Sequence, residues 1–236
     1  MDCANGMLVA GSLLSIEKLC SQEKTVDVQE ILLFSQLYAN FKAGDVDKFT
    51  SPGGWLKHYD DALLHAQWTL VESDDYKERP EDATGISLEK LLEDYLLKRL
   101  TRAEAEHIRA LFKRMAGLTD TQAAARVLYH HALKVPHDGA GASTFALQVN
   151  VLESPVQMAS LFVTFSTRQT LEQLPFAQTF AGRHIVGDIQ AWFSRRAWDA
   201  DKYSPVRKSI RDFLNGKQGS LIVPIPCEVP HGADSL

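Results

Sequence analysis

The amino-acid sequence predicts an α+β fold in which about five N-terminal helices pack as one layer on a small antiparallel sheet. Two segments within residues 143–168 alternate apolar and polar side chains with the period of two that is typical of strands. Residues 25–135 instead carry apolar side chains at helical spacing, between recognisable helix starts. Apolar content of 45% and charged content of 23% are ordinary for a globular chain.

The 143–168 segment is predicted to be a β-hairpin broken at Glu153-Ser154-Pro155. Its odd-numbered face is apolar: Phe145, Leu147, Val149, Val151, Ala159, Leu161, Val163 and Phe165. Its other face is polar and uncharged: Thr144, Gln148, Asn150, Ser160, Thr164 and Ser166. Directly opposed residues in an antiparallel pair share a face of the sheet. If the odd-numbered residues of both strands face the core, the numbers of two opposed residues sum to an even number. The loop near Pro155 is then expected to contain an odd number of residues. The apolar face must be covered, since each large side chain gains ~1.5–3 kcal/mol on burial.

Residues 25–135 are predicted to be the helical layer. Helix starts are expected at Asp27 with Glu30, Ser51-Pro52, Ser87, Thr101-x-x-Glu104 and Thr119-x-x-Gln122. Gly44 and Gly117 are natural helix ends. Between the second and third helices, the acidic residues 72–85 are predicted to be a solvated loop, with a cation site as the alternative.

Residues 25–236 are predicted to form a single domain, and residues 1–24 lie outside it. Residues 1–24 are predicted to be an N-terminal arm whose apolar part docks as a short helix. After the hairpin, Ile185, Ile189 and Trp192 indicate one C-terminal helix, and Ser204-Pro205 begins another. Leu221-Ile222-Val223 is expected to be a short last strand beside the hairpin, so that residues 143–226 hold the hairpin, the C-terminal helices and this strand.

Composition excludes several classes of function. The net charge of −5 argues against a general affinity for nucleic acid or for an anionic membrane, and sequence-specific nucleic-acid binding is not expected. Three scattered cysteines indicate free thiols in a reducing compartment, with acylation of Cys227 or Cys20 as an alternative. No segment reaches the ~18–20 apolar residues of a membrane span. The apolar stretch near the start lacks a basic region before it, so we expect a cytoplasmic product, with leaderless export left open.

Signatures of catalysis are weak. The sequence has no Gly-x-Ser-x-Gly, phosphate-binding loop or His-Glu-x-x-His, and no cofactor or metal is predicted. Glu104-x-x-His107 is interpreted as a helix cap with a surface histidine, because a di-iron site needs two such motifs. Two histidine groups could serve a small-molecule enzyme: His58, Asp60, Asp61 and His65 on one helix, and His130, His131 and His137 near a connector.

Residues 183–217 hold eight Lys or Arg and only four Asp or Glu, in an otherwise acidic chain. Aromatic residues among these cations suit an anionic protein or lipid surface. The candidate contact residues are Trp192, Arg195, Arg196, Trp198, Lys202, Arg207, Lys208 and Arg211. The leading hypothesis is therefore a non-enzymatic binding or effector protein acting through residues 183–211, of which a leaderless bacterial virulence factor would be one form. The alternative is a small-molecule enzyme or lipid carrier with an apolar pocket between helices and sheet.

Overall fold

A mixed sheet of eight strands forms the centre of the molecule, and helices cover both of its faces. The structure is a computed structural model that describes residues 6–16, 21–44, 47–136, 141–172 and 175–227. The strands are β1 (Gly6–Val9), β2 (Ser12–Ile16), β3 (Trp68–Glu78), β4 (Gly85–Ile86), β5 (Leu133–Lys134), β6 (Ser143–Ser154), β7 (Gln157–Thr167), β8 (Phe180–Ala181), β9 (Ile185–Trp198) and β10 (Ile222–Pro224). Their order in the main sheet is β10-β1-β2-β6-β7-β9-β3, with β5 also paired to β6 and with β4 and β8 forming a separate ribbon.

Eight α-helices are described. They are α1 (Gln22–Ala43), α2 (Pro52–His65), α3 (Leu88–Tyr95), α4 (Arg102–Ala116), α5 (Ala123–Ala132), α6 (Ala200–Tyr203), α7 (Arg207–Leu214) and α8 (Gln218–Leu221). The α+β class is thus confirmed. The starts at Ser51-Pro52, Ser87 and the Thr101–Glu104 capping box are confirmed as well. In contrast, α1 begins earlier than predicted, capped by Ser21, and α5 begins after Gln122 rather than after Thr119.

The central hairpin of β6 and β7 has the predicted register. Phe145 lies opposite Phe165 and Leu147 lies opposite Val163, so paired positions sum to an even number. The prediction of an odd-length loop is wrong, because a bulge after Leu152 leaves Ser154 opposite Gln157 and the turn has two residues, Pro155 and Val156. The odd-numbered side chains are all buried against α3, α4 and α5.

The polar face of the hairpin is covered too, which changes the predicted layering. Ala146, Leu152, Met158 and Phe162 pack against α1, α2 and α7 in a second core. The single N-terminal helical layer is therefore wrong: α1 and α2 lie on one face of the sheet, and α3 to α5 lie on the other. A strand face of small uncharged polar residues can be buried at modest cost when hydrogen bonds pair those residues.

Residues 6–16 are two strands of the sheet and not a docked helix. The turn between them has Ala10 and Gly11 at positive φ, and a Cβ on Gly11 would lie 2.4 Å from the Cβ of His131. On its other side β1 pairs with β10, with Leu8 opposite Val223. The last strand is thus confirmed as a strand, but it lies away from the hairpin because β2 and β9 already occupy both hairpin edges.

Residues 185–198, predicted as a helix, form the long strand β9 between β7 and β3. Ile189, Ala191 and Phe193 enter the core of one sheet face, whereas Trp198 enters the other. Trp192 and Phe193 are adjacent aromatic residues on opposite faces of β9, so apolar and polar residues do not alternate strictly along this strand.

Residues 68–78 correct the predicted acidic loop. They form the edge strand β3, paired with β9 along its length. Two of its carboxylates, Glu72 and Asp74, are bound by Arg99. Charged side chains on an edge strand oppose edge-to-edge association, so acidity here is compatible with strand structure.

Candidate functional site

A cavity of about 320 Å³ lies between α2 and one face of the sheet. Its volume is at the lower end of the ~300–1,000 Å³ typical of small-molecule sites. Its lining includes Lys57, Tyr59, Asp60 and Asp61 from α2, and Ser73, Asp75, Gln148, Ser160, Phe162, Trp192, Ser194 and Arg196 from four strands.

The strand residues of the cavity come from two cross-strand rows. One row runs Ser73, Ser194, Ser160 and Asn150 across β3, β9, β7 and β6. The neighbouring row runs Asp75, Trp192, Phe162 and Gln148 across the same strands. Directly opposed residues share a sheet face, so the strand register alone brings these side chains beneath α2.

Stacked aromatic rings connect α2 to this floor. Tyr59 stacks on Trp55 with ring centroids 5.3 Å apart, and Trp55 lies 5.4 Å from Phe162. Phe162 in turn stacks on Trp192 at 5.6 Å. The Trp55 indole donates a hydrogen bond to Asn40 at 2.7 Å, which ties α2 to α1. These contacts hold the helix at a fixed height above the strands.

An ion pair stands at the wall of the cavity. Arg196 is only 4% exposed, and its Nη2 donates to the Asp60 carboxylate at 2.6 Å. Burial raises the pKa of Asp60, and the nearby Asp61 and Asp75 raise that pKa further, while Arg196 opposes the shift. Asp61 and Asp75 are therefore close enough to Asp60 to act on its charge.

Three side chains that line the cavity contain a buried polar atom without a hydrogen-bond partner in the described part of the chain. These atoms are the Tyr59 hydroxyl, Gln148 Oε1 and Arg196 Nε. Behind them, the Asn150 amide nitrogen is also unpaired, although its oxygen accepts from Ser160 at 2.8 Å. Burial raises the pKa of Tyr59, whose hydroxyl is neutral at physiological pH. The Gln148 side chain lies close enough to oppose that rise in pKa, but the contact falls outside hydrogen-bond geometry. An unpaired buried polar group costs ~1–3 kcal/mol, and such groups are few in native proteins.

The predicted basic-aromatic residues of β9 point to different sides of the sheet. Arg195 binds Glu153 at 3.0 Å and also Glu72, on the face opposite Arg196. Trp198 is buried and stacks on Trp68 at 5.6 Å. Of this predicted set, Trp192 and Arg196 belong to the cavity.

The cations of the C-terminal helices are mostly paired within the chain. Lys202 binds Asp199 at 2.8 Å. Arg207 binds the buried Asp27 at 2.6 Å, and Arg211 binds Glu30 at 2.7 Å. Lys208 is exposed. Binding of an anionic partner by these residues stays a prediction.

The predicted histidine groups do not converge. His58 lies 4.0 Å from Asp61, whereas His65 lines a separate groove between α1, α2 and α7. His130 and His131 line another groove, where burial lowers the pKa of His131 to about 4. His137 lies outside the described residues. Within those residues no group of three or more His, Cys, Asp or Glu could hold a metal ion.

Two further predicted sites have different outcomes. Glu104 accepts hydrogen bonds from the backbone and hydroxyl of Thr101, as expected for a capping box. Cys227 is disulfide-bonded, which corrects the expectation of free thiols and leaves no thiol there for acylation in this form. Cys20 lies outside the described residues. In the described part of the chain, no helix combines the length and the apolar character of a membrane span.

Sequence reasoning noticed Asp60 but missed Tyr59, Gln148 and Asp75 as site residues. Tyr59 follows the apolar spacing of α2, and Asp75 was assigned to a loop. The available signal was the uncharged polar face of the hairpin, which includes Gln148, Asn150 and Ser160. A face designed for water usually carries charged side chains, and this one has none.

Comparison with known proteins adds no family. No family model matches the chain, and no curated protein matches it. A solved structure described as "DELTA-ENDOTOXIN" aligns with a TM-score of 0.34 and 7% sequence identity, over 79% of this chain and 80% of that chain. A likeness at this level supports no conclusion about function.

Proposed function

We propose that the protein is a non-enzymatic binding protein that holds a small polar organic molecule in the cavity between α2 and the sheet. The observation that supports it is the meeting at one cavity of three buried polar side chains, Tyr59, Gln148 and Arg196, each with one atom that lacks a hydrogen-bond partner in the described chain. A core selected only for stability would fill such a position with apolar side chains. Destabilising polar groups gathered at a concave site are typical of a site that a ligand completes.

Binding is favoured over catalysis by the chemistry of the lining. No histidine lines the cavity in the described chain, so Ser73, Ser160 and Ser194 have no imidazole there to activate a hydroxyl. Asp60, the least exposed of the three carboxylates in the lining, is bound to Arg196. The arrangement therefore offers hydrogen-bonding groups and ring faces for recognition, without the paired nucleophile and base of a hydrolase.

Filling the cavity provides the test. Ser194→Leu places an apolar side chain in the middle of the serine row, and Gln190→Leu makes a similar change on β9 outside the lining. Both variants and the natural chain are screened by thermal unfolding against small sugars, amino acids, amines, carboxylic acids and nucleosides. A ligand at about 100 times its Kd adds ~2.7 kcal/mol, which raises the Tm by about 5–10 °C.

The expected result is a shift for the natural chain and for Gln190→Leu that is absent in Ser194→Leu. A ligand that stabilises all three chains equally binds elsewhere and contradicts the proposal. The proposal is also contradicted if no compound stabilises the natural chain and its native mass spectrum shows only the mass of the bare chain.

A second proposal, an anionic lipid surface as partner, has specific support at α7. Lys208 is exposed on α7. The exposed Lys42 of α1 lines one groove with Phe41, which is 73% exposed, and Phe213, which is 38% exposed. An exposed cation beside apolar side chains suits an interfacial site. Flotation with anionic liposomes should be lost in Lys42→Glu with Phe213→Ser. Unchanged flotation of that variant, or no flotation of the natural chain, contradicts this proposal.

A further inference from the structure

The charge of the cavity restricts its ligand. Asp60, Asp61 and Asp75 line it, against Lys57 and Arg196. The charge of Arg196 is already met by Asp60 at 2.6 Å. Asp75 has no ion-pair partner among the described residues, and the contact of Asp61 is His58 at 4.0 Å. Carboxylates thus outnumber the available cations, and an anionic ligand would be repelled.

The indole ring of Trp192 lies beside the carboxylate of Asp75, which has no ion-pair partner among the described residues. Trp192 on β9 lies directly opposite Asp75 on β3, and opposed side chains in a sheet have Cβ atoms ~4.5–5.5 Å apart. Trp192 is half-buried and stacked on Phe162. Indole is the strongest cation–π partner among side chains, and a neighbouring carboxylate supplies the second half of an ammonium site.

The buried polar atoms add a requirement for hydrogen bonding. Gln148 Oε1 is an unpaired acceptor, and the Tyr59 hydroxyl can both donate and accept. Gln148 is in the same cross-strand row as Trp192, two strands away. Gln148 and Tyr59 are neighbours in the lining, so one polar group of a ligand, a few bonds from its charged end, can pair with both.

We propose, on the basis of the proposed binding function, that the ligand is a small organic cation, an amine or quaternary ammonium compound that also has a hydroxyl or amide group. Its charged end lies between Trp192 and the carboxylates of Asp75 and Asp61. Its polar end pairs with Tyr59 and Gln148. Recognition is by charge and by ring contact, so a neutral molecule of the same shape binds more weakly.

A pair of isosteric probes tests this inference. Choline and 3,3-dimethylbutan-1-ol have the same shape and hydroxyl group, and only choline has a charge. Calorimetric titration should show choline binding about tenfold more tightly than the neutral alcohol, since ~1.4 kcal/mol corresponds to a factor of ten. Asp75→Asn should weaken choline about tenfold as well. Asp82→Asn removes an exposed carboxylate outside the cavity lining and should leave the affinity unchanged.

The outcomes separate this inference from the proposed function. Equal affinity for choline and the alcohol, or unchanged choline affinity in Asp75→Asn, overturns the inference. If a sugar or a carboxylic acid binds instead, and Ser194→Leu abolishes that binding, the inference is wrong while the binding function holds. Far-ultraviolet circular dichroism and urea unfolding of Asp75→Asn confirm that the variant folds, so a loss of binding reports on the site.

Discussion

Tyr59→Phe should stabilise the unliganded protein. Tyr59 is 1% exposed, its hydroxyl has no hydrogen-bond partner in the described part of the chain, and its ring stacks on Trp55. Phenylalanine keeps the ring and removes only the unpaired oxygen. Because an unpaired buried polar group costs ~1–3 kcal/mol, we expect the free energy of unfolding to rise by about 1–2 kcal/mol. For a chain of this size that equals a Tm increase of about 2–8 °C.

Equilibrium unfolding in urea and thermal unfolding measure this change. Tyr95→Phe is the matched control, because the Tyr95 hydroxyl donates to Glu78 at 2.9 Å. Removing that hydrogen bond should lower the free energy of unfolding by about 0.5–1 kcal/mol. The two substitutions remove the same atom, so opposite signs isolate the effect of the missing partner.

The opposite result at Tyr59 would refute the reasoning. A loss of about 1 kcal/mol in Tyr59→Phe means that the hydroxyl is hydrogen-bonded in the native protein, which removes one of the three groups behind the proposed site. If the site is functional, the more stable variant should also bind its ligand less tightly. A purely structural role of the Tyr59 hydroxyl would not produce a gain of stability together with a loss of ligand affinity.

Three other predictions follow from the fold. Phe145→Ala should cost about 3–5 kcal/mol in urea unfolding, because Phe145 is fully buried and stacked on Phe165 at 4.9 Å; a loss below 1 kcal/mol would contradict the hairpin core. Burial raises the pKa of Asp27 above 3.8, although Arg207 opposes the rise. The folded protein therefore binds the Asp27 proton more tightly than the unfolded chain does. This preference stabilises the fold fully below pH 3.8 and is lost as the pH rises through the raised pKa. Unfolding measured from pH 3 to 7 should show that decline, and Asp27→Asn should reduce it. Alkylation without reductant should leave Cys227 unmodified, and labelling of Cys227 under those conditions would exclude the disulfide.

The sequence was most informative where a strand keeps one simple pattern. In β6 and β7 the apolar residues alternate strictly, so their pairing and register could be predicted. In β9 apolar residues occur on both faces, and Ile185, Ile189 and Trp192 match helical spacing by coincidence. In β3 the carboxylates of Glu72 and Asp74 resemble a solvated loop until Arg99, far along the chain, is placed beside them.

The candidate site was harder to predict because it depends on which element covers a polar strand face. Gln148 and Ser160 alternate with apolar neighbours just as solvent-facing residues do, and only the packing of α2 on that face makes them buried. The distinguishing property is charge. A solvated strand face tolerates Lys and Glu at no cost, whereas a covered face excludes charges unless they are paired. The polar residues that the hairpin carries on this face are all uncharged, and the one arginine that β9 adds, Arg196, is held by Asp60. An uncharged polar strand face in a chain with many charged residues is therefore better interpreted as buried, and its unpaired members as candidates for ligand contact.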